Sequence, residues 1–134
     1  YHIYGSTRYL EKYGIPNNLN DLNKHRFISF GKGAPSPVFN PDWALKLGIT
    51  DNKKRKSIMK VNSVMGLLLA VESGVGLAAL PDYLVFQSQN VIKVLPKSEG
   101  PITEAHFVYP QSLKNVARVQ VFKNFLYSKI GDWK

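Results

Sequence analysis

The segment that most constrains the fold is residues 61–84, VNSVMGLLLAVESGVGLAALPDYL. Ser63 is suited to cap a helix that starts at the next residue, and Gly74 follows that helix where a left-handed residue favours glycine. The apolar run 77–80 is too short for a helix and predicts a buried strand, after which Pro81 suits the first turn of another helix. The helix itself is predicted from apolar residues at i, i+3, i+4 and i+7, namely Val64, Leu67, Leu68 and Val71.

The rest of the chain alternates between further predicted strands and helices. Ser6 and Gly14 bracket a short predicted helix as its N-terminal cap and its glycine stop. Alternating strands and helices predict an α/β fold with a mostly parallel central sheet. Strands are predicted at 2–4, 26–30, 42–47, 57–61, 91–95 and 105–109, helices at 7–13, 19–24 and 114–129, and a glycine- and proline-rich loop at 31–40.

Five short motifs follow one another over nearly the whole chain. The most regular lies within residues 61–84 and consists of Val61-Asn62-Ser63, Gly74-Val75-Gly76-Leu77-Ala78 and Leu80-Pro81-Asp82-Tyr83-Leu84. The other four lie at residues 5–14, 21–28, 107–110 and 118–126. Each motif alone is weak, whereas their common order is specific, and in this order the chain resembles the effector-binding domain of LysR-type transcriptional regulators.

This resemblance implies a periplasmic-binding-protein-like lobe with three α/β/α layers and a mostly parallel sheet. Residues 1–110 would form lobe II, with hinge strands at both of its ends, and residues 111–134 would hold a C-terminal helix that returns to lobe I. The family's DNA-binding helix-turn-helix domain and the first half of lobe I are not found in this sequence. The chain is therefore expected to be a fragment, either cut for study or encoded short.

Composition narrows the functional class. Hydrophobic residues make up 44% of the chain, enough to build a folded core, and no apolar run approaches the length of a membrane span. The 18 basic and 9 acidic side chains give a net charge of +9, with a concentration at residues 53–56. We interpret this run as a solvated surface rather than a nucleic-acid face, because no aromatic residues are interleaved with it. The absence of cysteine is compatible with a cytoplasmic protein.

Patterns typical of catalysis are missing from the sequence. His2, His25 and His106 are isolated from one another, and no G-x-S-x-G motif occurs. Gly74 and Gly76 lack the third glycine of a dinucleotide-binding loop and follow a helix rather than a strand. We therefore expect no enzyme activity, no cofactor and no metal site.

A ligand site is predicted where two strands end. Asn62, Ser63 and Val64 stand between a predicted strand and a helix N-terminus, where free N–H groups favour an anion such as a carboxylate. Ligands of open α/β sheets bind at the carboxyl ends of strands, and a second strand ends at Ser29, Phe30 and Gly31. Helix capping would also explain Asn62 and Ser63, core packing would explain Phe30, and Lys32 is a further candidate for an anionic ligand.

The resemblance implies that these six residues line an effector cleft from the lobe II side. It also implies a homodimer or tetramer in which the helix at 63–72 faces lobe I of a partner, with DNA bound only through the missing N-terminal domain. The partners expected are thus a small-molecule effector and further copies of the chain, with no membrane. A periplasmic solute-binding lobe, a small α/β enzyme and a degenerate regulator fragment without effector response remain alternatives.

Overall fold

The computed structural model describes residues 1–31, 40–50 and 53–130. The chain divides into two compact units, Tyr1–Thr103 and Glu104–Lys134. The first unit contains the strands β1 (His2–Ser6), β2 (Phe27–Phe30), β3 (Ser57–Val61), β4 (Ala78–Leu80) and β5 (Val91–Val94). It also contains a 3₁₀ turn (Asp21–Lys24) and the helices α1 (Thr7–Tyr13), α2 (Trp43–Lys46), α3 (Val64–Glu72) and α4 (Asp82–Val85).

The sheet of the first unit is mixed. Strand β1 lies between β4 and β5 and pairs antiparallel with both, whereas β2 and β3 pair in parallel. Backbone hydrogen bonds of 2.8 Å, from Ile28 to Leu77 and from Leu77 to Arg26, connect β2 to the start of β4. The expectation of a mostly parallel sheet is therefore not met in its three-stranded part. Helical crossovers fix the direction only of the strands that they join, and none joins β1 directly to its neighbours.

Helices cover both faces of this sheet and produce three layers. Successive strand residues point to opposite faces, so Ile3 and Phe27 enter one core while Tyr4 and Ile28 enter the other. The first core is completed by α1, the 3₁₀ turn and α2, through Tyr9, Leu10, Leu22, Trp43, Ala44 and Leu45. The second core is completed by α3 and α4, through Leu67, Leu68, Ala70, Val71 and Val85.

The predicted helix ends are confirmed in α1 and α3. The Ser6 hydroxyl accepts the Tyr9 N–H at 3.3 Å, and the Ser63 hydroxyl accepts the Gly66 N–H at 3.4 Å. Gly14 and Gly74 have φ angles of 84° and 74°, a left-handed conformation that side chains disfavour.

Two predicted strands are wrong. Residues 42–47 contain helix α2, because Trp43, Ala44 and Leu45 are all buried in the same core, and a strand would have turned Ala44 to the other face. Residues 105–109 form no strand and join no ladder. The predicted loop at 31–40, including Lys32, lies mostly outside the described residues.

The second unit contains a 3₁₀ turn (Gln111–Leu113) and helix α5 (Ala117–Ile130). Its aromatic side chains associate with one another, since the Phe107 ring centroid lies 5.4 Å from that of Tyr109 and 5.6 Å from that of Phe122. The aromatic residues of 105–109 thus contribute to this cluster rather than to a sheet. Although α5 carries an apolar stripe, none of its residues is buried.

A search of the described helices finds none that is both long and apolar enough to cross a membrane.

Candidate functional site

The two segments predicted to bind a ligand meet at one edge of the sheet. Phe30 lies opposite Val61 in the parallel ladder of β2 and β3, and the Gly31 N–H donates to the Val61 carbonyl at 2.7 Å. Residues 29–31 and 62–64 are therefore neighbours at the carboxyl ends of the two strands. The N-terminus of α3 begins directly beside them, and the backbone N–H groups of a helix's first turn have no partner within the helix.

An apolar hollow of about 30 Å³ opens beside these strand ends. Ser29, Phe30 and Val64 line it, whereas Gly31, Asn62 and Ser63 do not. A volume of this size is about twice the minimum of roughly 10–15 Å³ that holds one water molecule, so only a small group fits within it. The remaining lining includes four residues that the sequence did not single out, Tyr1, Pro41, Trp43 and Ala79.

The other three predicted residues have different surroundings. Ser63 accepts the capping hydrogen bond of α3, so it has the helix-capping role that was the alternative to ligand binding. Asn62 is exposed at the start of the same turn. Gly31 contributes its backbone to the contact with β3 and has ordinary space where a side chain would begin, 3.6 Å from the Val61 oxygen.

A second, basic pocket of about 270 Å³ adjoins the hollow and shares Ser29, Phe30 and Leu45 with it. It lies beside β2, β3 and α2. Asp42 supplies the carboxylate among its lining residues and pairs with Lys54. The rest of the lining consists of Arg55, Lys56, Ser57 and Lys60.

Arg55 has a structural role that its place in the basic run at 53–56 did not indicate. Its guanidinium group donates to Asn23 Oδ1 at 2.8 Å and to the Leu47 and Leu19 carbonyls at 2.7 and 3.2 Å. It also lies over the Phe27 ring, 5.8 Å from the centroid. Burial lowers the pKa of Arg55. The interpretation of this run as solvated surface is therefore wrong at Arg55, which ties three segments to the core.

A separate polar cluster lies at the start of α4. Asp82 accepts hydrogen bonds from Tyr4 Oη at 2.7 Å and from His2 Nδ1 at 2.8 Å, and Lys93 lies 3.7 Å away. Burial raises the pKa of Asp82, but the hydrogen bonds from Tyr4 and His2 outweigh it and leave that pKa below its usual value. Burial, followed by the hydrogen bond to Asp82, raises the pKa of Tyr4. His2 is thus not isolated in space, which its position in the sequence could not indicate.

We expect Tyr4→Phe to flatten the pH dependence of stability at both extremes. The lowered pKa of Asp82 stabilises the fold above pH about 4 and loses that effect as the carboxyl protonates. The raised pKa of Tyr4 stabilises the fold below pH about 10 and loses that effect in base. Urea unfolding across the pH range, with the exposed Tyr127→Phe as control, measures how the free energy of unfolding changes in acid and in base. A free energy of unfolding that varies with pH in Tyr4→Phe as steeply as in the wild type would contradict this assignment.

Clusters of three or more His, Asp or Glu side chains that could hold a metal ion are absent from the parts of the chain that the structure describes.

The LysR substrate binding domain model matches residues 1–130 of this chain. The chain belongs to the LysR substrate-binding domain family. The resemblance predicted from the sequence motifs is thereby confirmed.

Relatives of this LysR substrate-binding domain agree with the assignment. A protein of Haemophilus influenzae described as an uncharacterized HTH-type transcriptional regulator is 32% identical over 113 residues, which cover 81% of this chain and 38% of the relative. The regulatory domain of CrgA, a LysR-type transcriptional regulator from Neisseria meningitidis, matches with a TM-score of 0.70 and 24% identity over 96% of this chain and 63% of that domain. The longer CrgA structure matches with a TM-score of 0.71 and 24% identity over 97% of this chain and 44% of its own. The chain spans less than two thirds of each relative.

Sequence reasoning missed the basic pocket of this LysR substrate-binding domain for two reasons. The sequence predicts a strand at Lys60 but does not indicate its ladder partner, which is Ser29. The sequence also predicts a strand at Trp43, and so it does not indicate that a helix, α2, stands at that position. The four-residue spacing between Lys56, just before β3, and Lys60 within it was the available signal, and it becomes informative only once β3 is known to be an edge strand.

Proposed function

We propose that this LysR substrate-binding domain senses a small-molecule effector and controls transcription by changing the geometry of a DNA-bound oligomer. The observation that carries the proposal is the parallel pairing of β2 with β3, which brings residues 29–31 beside residues 62–64 at a helix N-terminus. This arrangement supports binding of a polar or anionic group at the carboxyl ends of the strands. Ser29, Phe30, Gly31, Asn62, Ser63 and Val64 would contact the effector.

The domain assignment is part of this proposal. Residues 1–110 would act as lobe II, and the helix within 111–134 would pack on lobe I of the intact regulator. The unburied aromatic side chains of α5, including Phe122 and Phe125, support this because they leave an apolar surface available for another part of the protein. DNA would be bound through a separate helix-turn-helix domain of the regulator.

The protein would act in the cytoplasm as a regulator and not as an enzyme. Its relatives are transcriptional regulators, which supports both statements. Its partners would be the effector, DNA through the other domain, and further copies of the regulator in a homodimer or tetramer.

Helix α3 supplies a surface for this self-association. Met65 and Leu69 lie one turn apart on α3, and the Leu69 side chain is 55% exposed. Ile58 on the edge strand β3 is also exposed. Exposed apolar side chains on adjoining elements are typical of protein interfaces.

We expect Leu69→Asp to weaken self-association of the chain by about tenfold or more, because a charge would replace an apolar contact in a desolvated interface. Sedimentation velocity across a range of concentrations measures this effect, and circular dichroism verifies the fold. Phe86→Asp, a charge at the exposed end of α4, is the matched control and should associate as the wild type does. An unchanged association state in Leu69→Asp would remove α3 from the interface.

Footprinting of the full-length regulator on its own promoter tests the proposed function. We expect at least one compound from a metabolite library to change the protected region, and Asn62→Ala together with Ser63→Gly to reduce that response. A footprint that no compound alters would contradict effector sensing.

A further inference from the structure

The basic pocket is the feature of this domain that the strand-end site leaves unexplained. We propose that the basic pocket binds the charged group of a short aliphatic organic anion, such as a small carboxylate or phosphate ester, whose apolar end enters the hollow. This inference rests on the proposed function, because it names the chemical class of the effector.

Charge is the first observation behind this proposal. Four cationic side chains and one carboxylate line the pocket. Asp42 offsets Lys54, and Arg55 is bound to carbonyl groups that carry no full charge. Lys56 and Lys60 are exposed and form no ion pair with any residue in the described ranges. Within the described ranges, nothing offsets the charges of Lys56 and Lys60, and an anion in the pocket would meet them.

Ser29 is the second and independent observation. The residue is only 6% exposed, and its hydroxyl forms no hydrogen bond to the described part of the chain. Ser29 lines both the basic pocket and the hollow, and Lys60 lies opposite it in the ladder. A serine hydroxyl that borders both spaces and has no partner in the described chain is able to donate to an oxygen of the bound anion.

The sizes of the two spaces decide the class of ligand. The basic pocket, at about 270 Å³, has room for a carboxylate or phosphate with its hydration. The hollow, at about 30 Å³, is far smaller than the cavity of about 150 Å³ that admits benzene in another protein. A methyl or ethyl end therefore fits the hollow, and an aromatic ring does not.

Titration of the chain with butyrate, propyl phosphate and benzoate, followed by amide NMR, tests the proposal. We expect butyrate or propyl phosphate to shift the amides of Ser29 and Lys60, and the tighter of the two identifies the charged group. Benzoate should bind about tenfold more weakly, since its ring cannot enter the hollow. If no probe shifts these amides, or if benzoate binds as tightly as butyrate, the proposal is overturned.

Matched lysine variants identify the side chains that bind the anionic group of the probe. Lys56→Gln and Lys60→Gln should each weaken the preferred probe by about tenfold, the usual effect of one charge-assisted hydrogen bond. Ser29→Ala should weaken it as well, whereas Lys97→Gln, an exposed lysine outside the pocket, should leave affinity unchanged. Equal affinities in Lys60→Gln, Lys56→Gln and wild type would overturn the proposal.

The failure of this inference is distinguishable from the failure of effector sensing. A regulator footprint that responds to a compound whose affinity is unaffected by Lys60→Gln would remove the anion pocket and retain the sensing function. Probe binding that depends on Lys60, together with a footprint that no compound of the metabolite library alters, would support the pocket and contradict the sensing function.

Discussion

Phe27→Ala is expected to lower the free energy of unfolding by about 3–5 kcal/mol, the range for removal of a large aromatic side chain from a core. Phe27 is 1% exposed and lies in β2, where it belongs to the core beneath α1 and α2. Its ring also supports the Arg55 guanidinium group, which binds two loop carbonyls. The loss would thus leave a cavity and loosen the polar contacts above it. For a domain whose total stability is about 5–15 kcal/mol, this is a large fraction.

Urea unfolding followed by circular dichroism measures the loss. Phe86→Ala is the matched control, because the Phe86 side chain is 74% exposed and its removal should change stability by no more than about 0.5 kcal/mol. Similar midpoints for Phe27→Ala and Phe86→Ala would contradict the position of β2 between the two cores.

Gly76→Ala is the second substitution with a large expected effect, a loss of about 1–3 kcal/mol from overpacking. A Cβ atom at position 76 would lie 2.6 Å from the carbonyl oxygen of Arg26. That oxygen accepts the Leu77 N–H at 2.8 Å, one of the bonds that connect β2 to β4. Because the obstructing atom belongs to the backbone, the strands themselves must separate.

Gly31→Ala provides the matched control for Gly76→Ala. The nearest atom to a Cβ at position 31 is 3.6 Å away, which is an ordinary contact, so its stability should remain within about 0.5 kcal/mol of wild type. Thermal and urea unfolding of both variants compare the two positions. Equal stability of Gly76→Ala and wild type would mean that β2 and β4 are not in the close contact described.

Gly74 and Gly76 show how far the sequence could be used to predict the fold. Gly74 was predicted correctly as a helix stop, because a left-handed residue after an apolar helix is a local requirement. The requirement at Gly76 arises from a strand that is distant in sequence, so it becomes visible only in three dimensions. Local signals likewise predicted the caps Ser6 and Ser63.

Contacts between segments that are distant in sequence account for the remaining differences between the predicted and the observed fold. The direction of β1 depends on neighbours that come much later in the chain, and α2 takes its form from a core that must accept Trp43, Ala44 and Leu45 together. At the candidate site, two strand ends could be identified from sequence, and their pairing in the structure makes them adjacent. The basic pocket could not be predicted, because Lys60 reaches it only through its position opposite Ser29 in the ladder of β2 and β3.

The central claim is that an effector binds where β2 and β3 end, and amide NMR of the labelled chain with a metabolite library tests it most directly. We expect at least one compound to shift the amides at residues 29–31 and 62–64 in a saturable manner. Compounds that bind and shift only amides remote from these two segments, or a library in which no compound binds, would contradict the claim.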